Sequence, residues 1–275
     1  MNVLYCGDEN IQDGLLISIL SLLKNVSEPL RIYVMTMNLH TEKKDYHAIS
    51  NHAIAFLNQL VKQKDVTNFV KRIDCTEMFQ AQLPLANMDT RFTPFAMLRL
   101  YADELPEIPD RLLYLDSDVV CHRDCSAFYH QAIENTEMVG VLDYYGRWFF
   151  HRSLTHLDYL NSGVLLLNMK LIKQTKLFVK ARKMCQEKWM FMPDQSALNK
   201  LSKTKRIVDR KYNEQHKLHA DTVFQHFTTS FRFFPWLHTQ TIKPWQVDQV
   251  HEKLKLHEYD DLLAEYQKLA PQLER

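Results

Sequence analysis

Two aspartates, Asp116 and Asp118, follow the short apolar run 112–115 with one residue between them. An apolar run of this length predicts a buried strand, and open α/β sheets bind their ligands beyond the carboxyl ends of strands. Two carboxylates this close repel each other unless a cation or a shared proton lies between them. The pair therefore predicts a site for a hard divalent cation, Mn²⁺ or Mg²⁺, and the alternative is an exposed turn with capping aspartates.

Four other polar residues could complete such a site. His226 follows an apolar run and could add an imidazole, which would favour Mn²⁺ over Mg²⁺, although a single histidine is more often structural. Asp8 and Asn10 follow the first apolar segment, where they could contact a base or ribose or simply cap a helix. Arg99 could pair with a phosphate or with the two aspartates.

Alternating strands and helices must position these residues. Strands are predicted at the start of the chain, at 31–38, 68–75, 112–115 and 137–143, and in the segment YLNSGVLLLNMKL. Helical spacing predicts helices over 11–24, 41–64 with Thr41 as cap, 93–105, 170–189, a segment capped by Asp194, and 247–269. This alternation is typical of an α/β fold with a mostly parallel sheet.

Three segments lack a clear period or carry a biased charge. Residues 144–158 are aromatic and basic and are predicted to form a loop over a site. Residues 200–217 are rich in lysine and arginine, which favours a solvated face over a polyanion site. The tail 247–269 carries more acid than base, so it is a weak candidate for binding anionic lipids.

Composition narrows the class of protein. The chain has 275 residues, 46% of them hydrophobic, and a formal net charge of +1, so it is expected to be a globular enzyme without a global field that attracts nucleic acid or a membrane. The apolar run GLLISILSLL is too short to span a bilayer, and the opening segment lacks a basic signal-peptide region. Five cysteines in a chain of this length predict reduced thiols and a cytoplasmic protein. The sequence contains neither of the glycine-rich phosphate motifs GxGxxG and GxxxxGK[ST].

A set of motifs resembles one enzyme family. DENIQDG, FAMLRLYADELP, LLYLDSDVV, LNSGVLLLNMK, PDQSALN, QHF and KPW occur in the order, and nearly with the spacing, of glycosyltransferase family 8. The resemblance is to its bacterial lipopolysaccharide and lipooligosaccharide glucosyl- and galactosyltransferases and, more distantly, to glycogenin. It covers residues 1–246, which would be the catalytic domain, and leaves 247–275 as a C-terminal helical extension.

The resemblance implies a GT-A fold and transfer of glucose or galactose from a UDP-sugar, with Mn²⁺ as cofactor and retention at the anomeric carbon. The acceptor would be a glycan, glycolipid or glycoprotein, with at most peripheral membrane contact. The implied metal ligands are Asp116, Asp118 and His226. The implied contacts to the nucleotide and diphosphate are Cys6, Asp8, Asn10, Ser117 and Lys243.

Further residues are implied on the sugar side of the site. Arg99, Asn161, Asp194 and Gln195 match positions that contact the donor sugar, and Asp143 matches a position near the acceptor. Asp194 and Gln195 are the implied catalytic residues. Because an amide is a poor nucleophile, we expect same-face attack, with Gln195 as a polar stabiliser and Asp194 positioning sugar hydroxyls.

The chain departs from the family pattern after His226. In many members only a few residues separate this histidine from KPW, whereas here the aromatic insertion 229–242 precedes Lys243. The position of Lys243 therefore depends on how the insertion folds. Its aromatic side chains could stack on an acceptor sugar or lipid, and ordinary packing is the favoured interpretation.

Three other functions remain open at this point. One is a pyrophosphorylase that makes the sugar nucleotide, although the glycine-rich, basic N-terminal phosphate loop that it would need is absent. A phosphohydrolase of the haloacid dehalogenase type also carries D-x-D after an apolar strand, but that motif normally lies near the start of the chain. A non-catalytic carbohydrate-binding protein with a degenerate site is the alternative that is not an enzyme. The presence of every charged motif position argues against it.

Overall fold

Seven strands form one central sheet in which a single strand runs against the others. A computed structural model describes residues 1–88, 90, 94–146, 158–232 and 238–273. Within those residues the sheet has the order β10-β8-β9-β6-β1-β2-β5. All neighbours pair in parallel except at β9, which is antiparallel to both β6 and β8. The predicted mostly parallel α/β architecture is confirmed.

The elements have the following bounds. The sheet contains β1 (Asn2–Cys6), β2 (Arg31–Thr36), β5 (Phe69–Asp74), β6 (Arg111–Leu115), β8 (Met138–Leu142), β9 (Leu160–Asn168) and β10 (Lys205–Ile207). Short strand pairs are β3 (Leu39–His40) with β4 (Asp45–Tyr46), β7 (Val119–Cys121) with β11 (Phe224–His226), and β12 (Ser230–Arg232) with β13 (His238–Gln240).

The helices lie on both faces of this sheet. They are α1 (Gln12–Asn25), α2 (Asn51–Lys64), α3 (Thr76–Ala81), α4 (Phe95–Leu98), α5 (Ser126–Tyr129), α6 (Met169–Thr175), α7 (Leu177–Glu187), α8 (Pro193–Leu201), α9 (Val247–Gln249) and α10 (Asp260–Leu269). Short segments of 3₁₀ helix occur at Glu9–Ile11, Leu85–Asn87, Arg99–Glu104, Arg210–Tyr212 and Ala270–Leu273, and a π-helical turn at Val250–Leu254.

Alternation along the central strands creates a core on each face of the sheet. In β6, Leu113 and Leu115 pack into the cluster that contains α1, whereas Leu112 and Tyr114 pack into the opposite cluster. Both clusters are buried because successive side chains of a strand point to opposite faces. This two-sided burial explains why the run before Asp116 is continuously apolar.

The predicted helix 41–64 is wrong in its first third. Residues 39–46 form the β3–β4 hairpin, in which the Thr41 hydroxyl donates to the Lys44 carbonyl at 2.8 Å. The helix starts at Asn51, because the Ser50 hydroxyl accepts a hydrogen bond from the Ala53 amide at 3.0 Å and caps it. A local turn at Thr41 therefore replaces the predicted cap.

Other predicted helices are also divided. The segment 170–189 breaks into α6 and α7 at Lys176, which adopts φ 55° in the left-handed region. The segment 93–105 becomes α4 followed by a 3₁₀ turn, and residue 93 lies outside the described residues. Asp194 is not a cap, because α8 begins at Pro193 after Met192 and Asp194 lies in its first turn.

The C-terminal tail is not the continuous helix predicted over 247–269. It consists of α9, the π-helical turn and α10, with a left-handed residue at Lys255 before the chain turns. The Tyr266 hydroxyl of α10 donates to Asp13 of α1 at 2.9 Å. The division at residue 246 stays a prediction. Among the described helices, none has the length and apolar character needed to cross a membrane.

Candidate active site

The polar residues lie together at one edge of the sheet because β9 is antiparallel to its neighbours β6 and β8. Asp116 follows the carboxyl end of β6 and Asp143 that of β8, while Asn161 lies at the amino end of β9 between them. An antiparallel strand brings its amino end to the edge where its parallel neighbours end. A cavity of about 620 Å³ opens there. Nine of the predicted site residues line it, namely Arg99, Asp116, Asp118, Asp143, Asn161, Asp194, Gln195, His226 and Lys243.

The three predicted metal ligands converge in this cavity. His226 Nε2 lies 3.3 Å from an Asp118 carboxylate oxygen and 3.7 Å from Asp116 Oδ2. One ligand atom from each residue lies within 4.8 Å of the others. Strand pairing places them, because His226 pairs with Val119 of β7, the residue that follows Asp118. Two carboxylates and one imidazole form a donor set that fits Mn²⁺, and Mg²⁺ would use the same oxygens.

A buried amide orients the histidine. The Nδ1 atom of His226 lies 3.3 Å from Asn213 Oδ1, which fixes Nδ1–H toward the amide and leaves Nε2 facing the carboxylates. Burial lowers the pKa of His226, but the charges of Asp118 and Asp116 outweigh it, so this pKa is raised above its ordinary value. A cation bound by Asp116, Asp118 and His226 would therefore displace a proton from the imidazole, because only the neutral ring ligates a metal.

Gly163 leaves the space that the histidine occupies. A Cβ atom built at Gly163 would lie 2.2 Å from His226 Cε1 and 2.9 Å from Asp116 Oδ2. The Gly163 carbonyl also accepts a hydrogen bond from the Asp116 amide at 2.8 Å. Any larger residue at this position would push the imidazole away from the carboxylates.

Lys243 reaches the site despite the insertion before it. Its ammonium group forms an ion pair with Asp118 Oδ2 and donates to the Phe227 carbonyl at 3.2 Å. Burial raises the pKa of Asp118, but Lys243 and His226 outweigh it and hold that pKa below its usual range. The insertion forms the β12–β13 hairpin, and its residues 233–237 lie outside the described residues, as do residues 147–157 of the predicted loop.

Arg99 connects Asp116 to Asp194 within the cavity. The guanidinium is 2% exposed, donates to Asp116 Oδ1 at 3.2 Å and pairs with Asp194 Oδ2 at 3.2 Å. It also donates to the Ser162 carbonyl at 2.5 Å and lies 3.8 Å from the ring centroid of Tyr114. Burial raises the pKa of Asp194, and the Arg99 charge opposes that effect. One arginine thus fixes the carboxylates of both Asp116 and Asp194.

A second network fixes Gln195 and Asp143. The Gln195 carbonyl oxygen accepts from the Ser162 amide at 2.9 Å and from its hydroxyl at 3.1 Å. The Gln195 amide nitrogen donates to Asp143 Oδ2 at 3.1 Å, and Asn161 donates to the same oxygen at 2.9 Å. Asp143 Oδ1 accepts from the amide of Gly146 at 2.5 Å. These polar groups are therefore held in one arrangement.

Four of the residues predicted to contact the donor do not line the cavity. Leu4 of β1 pairs with Tyr114 of β6, so Cys6 lies level with Asp116 at the same sheet edge. Burial raises the pKa of the Cys6 thiol well above its ordinary value. Asp8 accepts from the Asn10 amide at 3.1 Å and from its side chain at 2.8 Å, which is the capping arrangement. Ser117 is the remaining residue of this group, and its carbonyl lies against α1 at Gly14.

Sequence reasoning assigned no role to Asn213, Ser162, Tyr114 or Gly163. The LNSGV motif contains two of them, so their positions were visible while their contacts were not. Asn213 lies in a basic segment without a recognisable motif, and its side chain donates to Asn161 at 2.9 Å as well as facing His226. It connects the metal ligands to the second network.

The sequence matches the family described as Glycosyl transferase family 8 over residues 2–249. The lipopolysaccharide 1,2-glucosyltransferase of Escherichia coli K12 is 27% identical over 276 residues, covering 94% of this chain and 76% of the relative. The lipopolysaccharide 1,3-galactosyltransferase of Salmonella typhimurium LT2 is 27% identical over 260 residues, covering 86% of this chain and 72% of the relative.

Solved structures share the fold. An active-site mutant of LgtC superimposes with a TM-score of 0.68 at 17% identity, covering 100% of this chain and 97% of that one. The galactosyltransferase LgtC in complex with donor and acceptor sugar analogues gives a TM-score of 0.65 at 16% identity, covering 99% of this chain and all of that one. The chain therefore belongs to glycosyltransferase family 8, and it is a hexosyltransferase enzyme with a GT-A fold.

Proposed function

We propose that this enzyme transfers glucose or galactose from a UDP-sugar to a carbohydrate-bearing acceptor, with Mn²⁺ as cofactor and retention at the anomeric carbon. The observation that carries the proposal is the convergence of Asp116, Asp118 and His226 with Lys243 in the same cavity as Asp194 and Gln195. Two anionic phosphates and a neutral sugar need these two different environments side by side. The names of the two bacterial relatives favour a hexose.

The metal side of the cavity would hold the diphosphate. Asp116, Asp118 and His226 would hold the cation, which would supply positive charge to the UDP leaving group as the glycosidic bond breaks. Lys243 would leave Asp118 and donate to the phosphate oxygens, because bound metal would take over the charge of that carboxylate. The arrangement needs no glycine-rich phosphate loop.

The opposite side would hold the hexose. Asp194 and Asn161 offer acceptors and donors for sugar hydroxyls, and the Arg99 charge would favour the carboxylate form of Asp194 against the effect of burial. A carboxylate fixed there would stabilise positive charge that develops on the sugar ring. These roles follow the family motif positions at which the residues lie.

Gln195 would act as a polar stabiliser in same-face transfer. Its carbonyl oxygen already accepts two hydrogen bonds from Ser162, and an amide oxygen engaged in this way is a poor nucleophile. A dipole held in place costs little reorganisation during the reaction. We therefore favour attack by the acceptor hydroxyl on the face that the leaving phosphate vacates.

Asp143 would serve the acceptor side by orientation. Its two oxygens accept hydrogen bonds from Asn161, Gln195 and the amides of Tyr145 and Gly146, which uses the lone pairs that a general base would need. The carboxylate would hold the two amide side chains in place beside the acceptor. The leaving phosphate would then receive the acceptor proton.

Residues beyond β1 would hold the nucleoside. Asp8, Asn10 and the backbone at Cys6 would contact the uridine, and Ser117 would contribute from the turn between the two metal-binding aspartates. The level alignment of Cys6 with Asp116 supports this arrangement, because it places the end of β1 beside the diphosphate side. Glycans, glycolipids and glycoproteins are the proposed acceptor classes, and the free cysteines of the described chain support a cytoplasmic location.

Donor turnover tests the proposal. UDP release is measured with UDP-glucose and UDP-galactose, with Mn²⁺, with excess EDTA, and with Mn²⁺ restored after EDTA. We expect release with one or both donors that EDTA abolishes and Mn²⁺ restores, and the anomeric configuration of the transferred sugar in the NMR spectrum tests retention. Turnover that is indifferent to EDTA, or its absence with both donors, would refute the proposal.

A further inference from the structure

Helix α7 and its neighbours carry an exposed surface that combines positive charge with apolar side chains. We call it the α7 surface. Its members are Leu85, Lys170, Lys173, Lys176, Val179, Lys180, Lys183, Lys188, Trp189 and Phe191, each of which is exposed.

The helical period separates this surface from the core. Leu177, Phe178, Ala181, Arg182 and Cys185 form the buried side of α7. At about 100° per residue, the lysines at 176, 180 and 183 fall on the opposite side together with residue 179. The outer face of the helix is therefore a stripe of lysines that also contains Glu187, which pairs with Lys183 at 3.8 Å.

The stripe has a strong local charge. Between residues 169 and 192 the sequence contains six lysines and a single acidic residue, Glu187, although the whole chain carries a net charge of only +1. Arg182 adds no charge to the α7 surface, because its guanidinium is buried and pairs with Asp103 and Glu104. The ion pair of Lys183 with Glu187 is long and exposed, whereas in the basic segment 200–217 Lys205 is largely buried and pairs with Asp158 at 3.0 Å. The positive charge of α7 faces outward.

Apolar side chains flank the stripe at the end nearer the cavity. Trp189 is 68% exposed, Leu85 72% and Phe191 45%. Asn87 ties the Leu85 turn to this end of the helix, since its side chain donates to the Lys188 carbonyl at 2.6 Å. Of the seven large hydrophobic residues exposed in the described part of the chain, four belong to the α7 surface. Solvation of lysines requires no such neighbours, so the combination points to a partner.

We propose that the α7 surface docks onto a bilayer that carries anionic phospholipids. Lysines are attracted to an anionic leaflet, which lowers their free energy, and tryptophan prefers the interfacial layer between headgroups and acyl chains. Phe191 also lines the active-site cavity, so docking places the mouth of the cavity beside the bilayer. This docking does not depend on the proposed transfer reaction.

Vesicle binding tests the docking with the full chain. The fraction bound is measured by flotation with phosphatidylcholine vesicles and with mixed vesicles of phosphatidylcholine and phosphatidylglycerol, at low and high salt. The double variant Lys180→Gln, Lys183→Gln removes charge from the surface, and Trp189→Ser removes its exposed aromatic residue. Lys62→Gln with Lys64→Gln on α2 is the matched charge control, and Val66→Ser, at an 83% exposed position, is the apolar control.

The proposal expects wild-type binding to the anionic vesicles that weakens with salt. Two fewer lysines should lower the partition coefficient roughly 30-fold, and Trp189→Ser several-fold, while both controls bind as the wild type does. UDP release without vesicles should be unchanged in the lysine variant. Equal binding to both vesicle types, or an equal loss in the α2 control, would overturn the proposal. Competition by soluble polyphosphate with no effect of Trp189→Ser would identify a general polyanion site instead and would also overturn it.

Discussion

The ammonium group of Lys243 forms an ion pair with Asp118, which is more deeply buried than Asp116, the other aspartate that faces His226. The lysine lies on the far side of a 14-residue insertion, 229–242, yet its side chain ends where a divalent cation would be held. Trp245 fixes the position of Lys243, because the Trp245 ring packs against α1 at Gly14. A Cβ atom added at Gly14 would lie 2.7 Å from this ring. The segment is anchored to the core after the hairpin.

Lys243→Met should therefore change two affinities in opposite directions. In the wild type without a bound nucleotide, the Lys243 ammonium competes with a cation for Asp118. Mn²⁺ alone should therefore bind roughly tenfold more tightly to the variant. When UDP is present, the variant lacks the ammonium group that would donate hydrogen bonds to the phosphates. The Mn²⁺–UDP complex should therefore bind at least about tenfold more weakly. Isothermal titration with Mn²⁺ and then with UDP measures both, with Lys62→Met as control. Changes of the same sign would contradict the proposed role.

Gly163→Ala should weaken metal binding while the fold persists. The new methyl group would meet the His226 ring, and the neighbouring carboxylate of Asp116 blocks the other direction. We expect Mn²⁺ affinity to fall at least about tenfold, as when a ligand loses its orientation. Gly140→Ala on β8 is the matched control, because its methyl would meet only the flexible end of Leu165. Unchanged Mn²⁺ affinity in Gly163→Ala would show that His226 is not a ligand.

Asn213→Ala should weaken the site without touching a ligand. The variant loses the acceptor that orients His226, so Mn²⁺ affinity should fall about 10- to 100-fold, whereas Asn213→Asp keeps an acceptor and should retain most of it. Asn168→Ala, which removes another buried amide at the opposite edge of the sheet, should lower the melting temperature without a metal effect. Equal metal affinity in both alanine variants would remove Asn213 from the proposed site.

Glu137 provides a test of pH dependence outside the site. Burial raises its pKa, but hydrogen bonds from the side chains of Thr175 and Ser202 and from the amides of Lys203 and Thr204 outweigh this effect and lower it. A lowered pKa in the folded state means that the stabilisation is present above the unfolded pKa and is lost as the pH falls through the folded one.

Glu137→Gln should accordingly lower the free energy of unfolding by about 1–3 kcal/mol at neutral pH. This difference from wild type should shrink as the pH falls below 4.5, the ordinary pKa of glutamate. Urea unfolding across that range measures the difference. Glu187→Gln, at an exposed residue with one long ion pair, is the control and should show little effect at any pH. A Glu137→Gln penalty that stays constant on acidification would contradict the lowered pKa.

Much of the fold could be predicted because its signals are local. The apolar run before Asp116, the strand at β9 and the helix after β1 each have a period or composition that one segment reveals. The break at Lys176 could not be predicted, because a non-glycine residue in the left-handed region is held there by its surroundings. The hairpin at 39–46 depends on a four-residue turn inside a segment with helical spacing.

That Asp116, Asp118 and His226 belong to one candidate site could be predicted, whereas the contacts that orient them could not. Motifs gave the positions of Asp118 and His226, but the contact between His226 and Asn213 joins the motif QHF to a segment without any motif. The hydrogen bond from Gln195 to Asp143 spans 52 residues of sequence. Long-range contacts of this kind appear only when the strand order is known.

The central claim is that Asp118 helps to bind the cation that holds the diphosphate. Mn²⁺ binding to wild type and to Asp118→Asn is measured by the loss of the free Mn²⁺ signal in electron paramagnetic resonance, with and without UDP, after circular dichroism has shown that the variant is folded. We predict that wild type binds Mn²⁺ and that UDP strengthens this binding, whereas folded Asp118→Asn loses both effects. Equal Mn²⁺ affinity in the two proteins in the presence of UDP would contradict the claim.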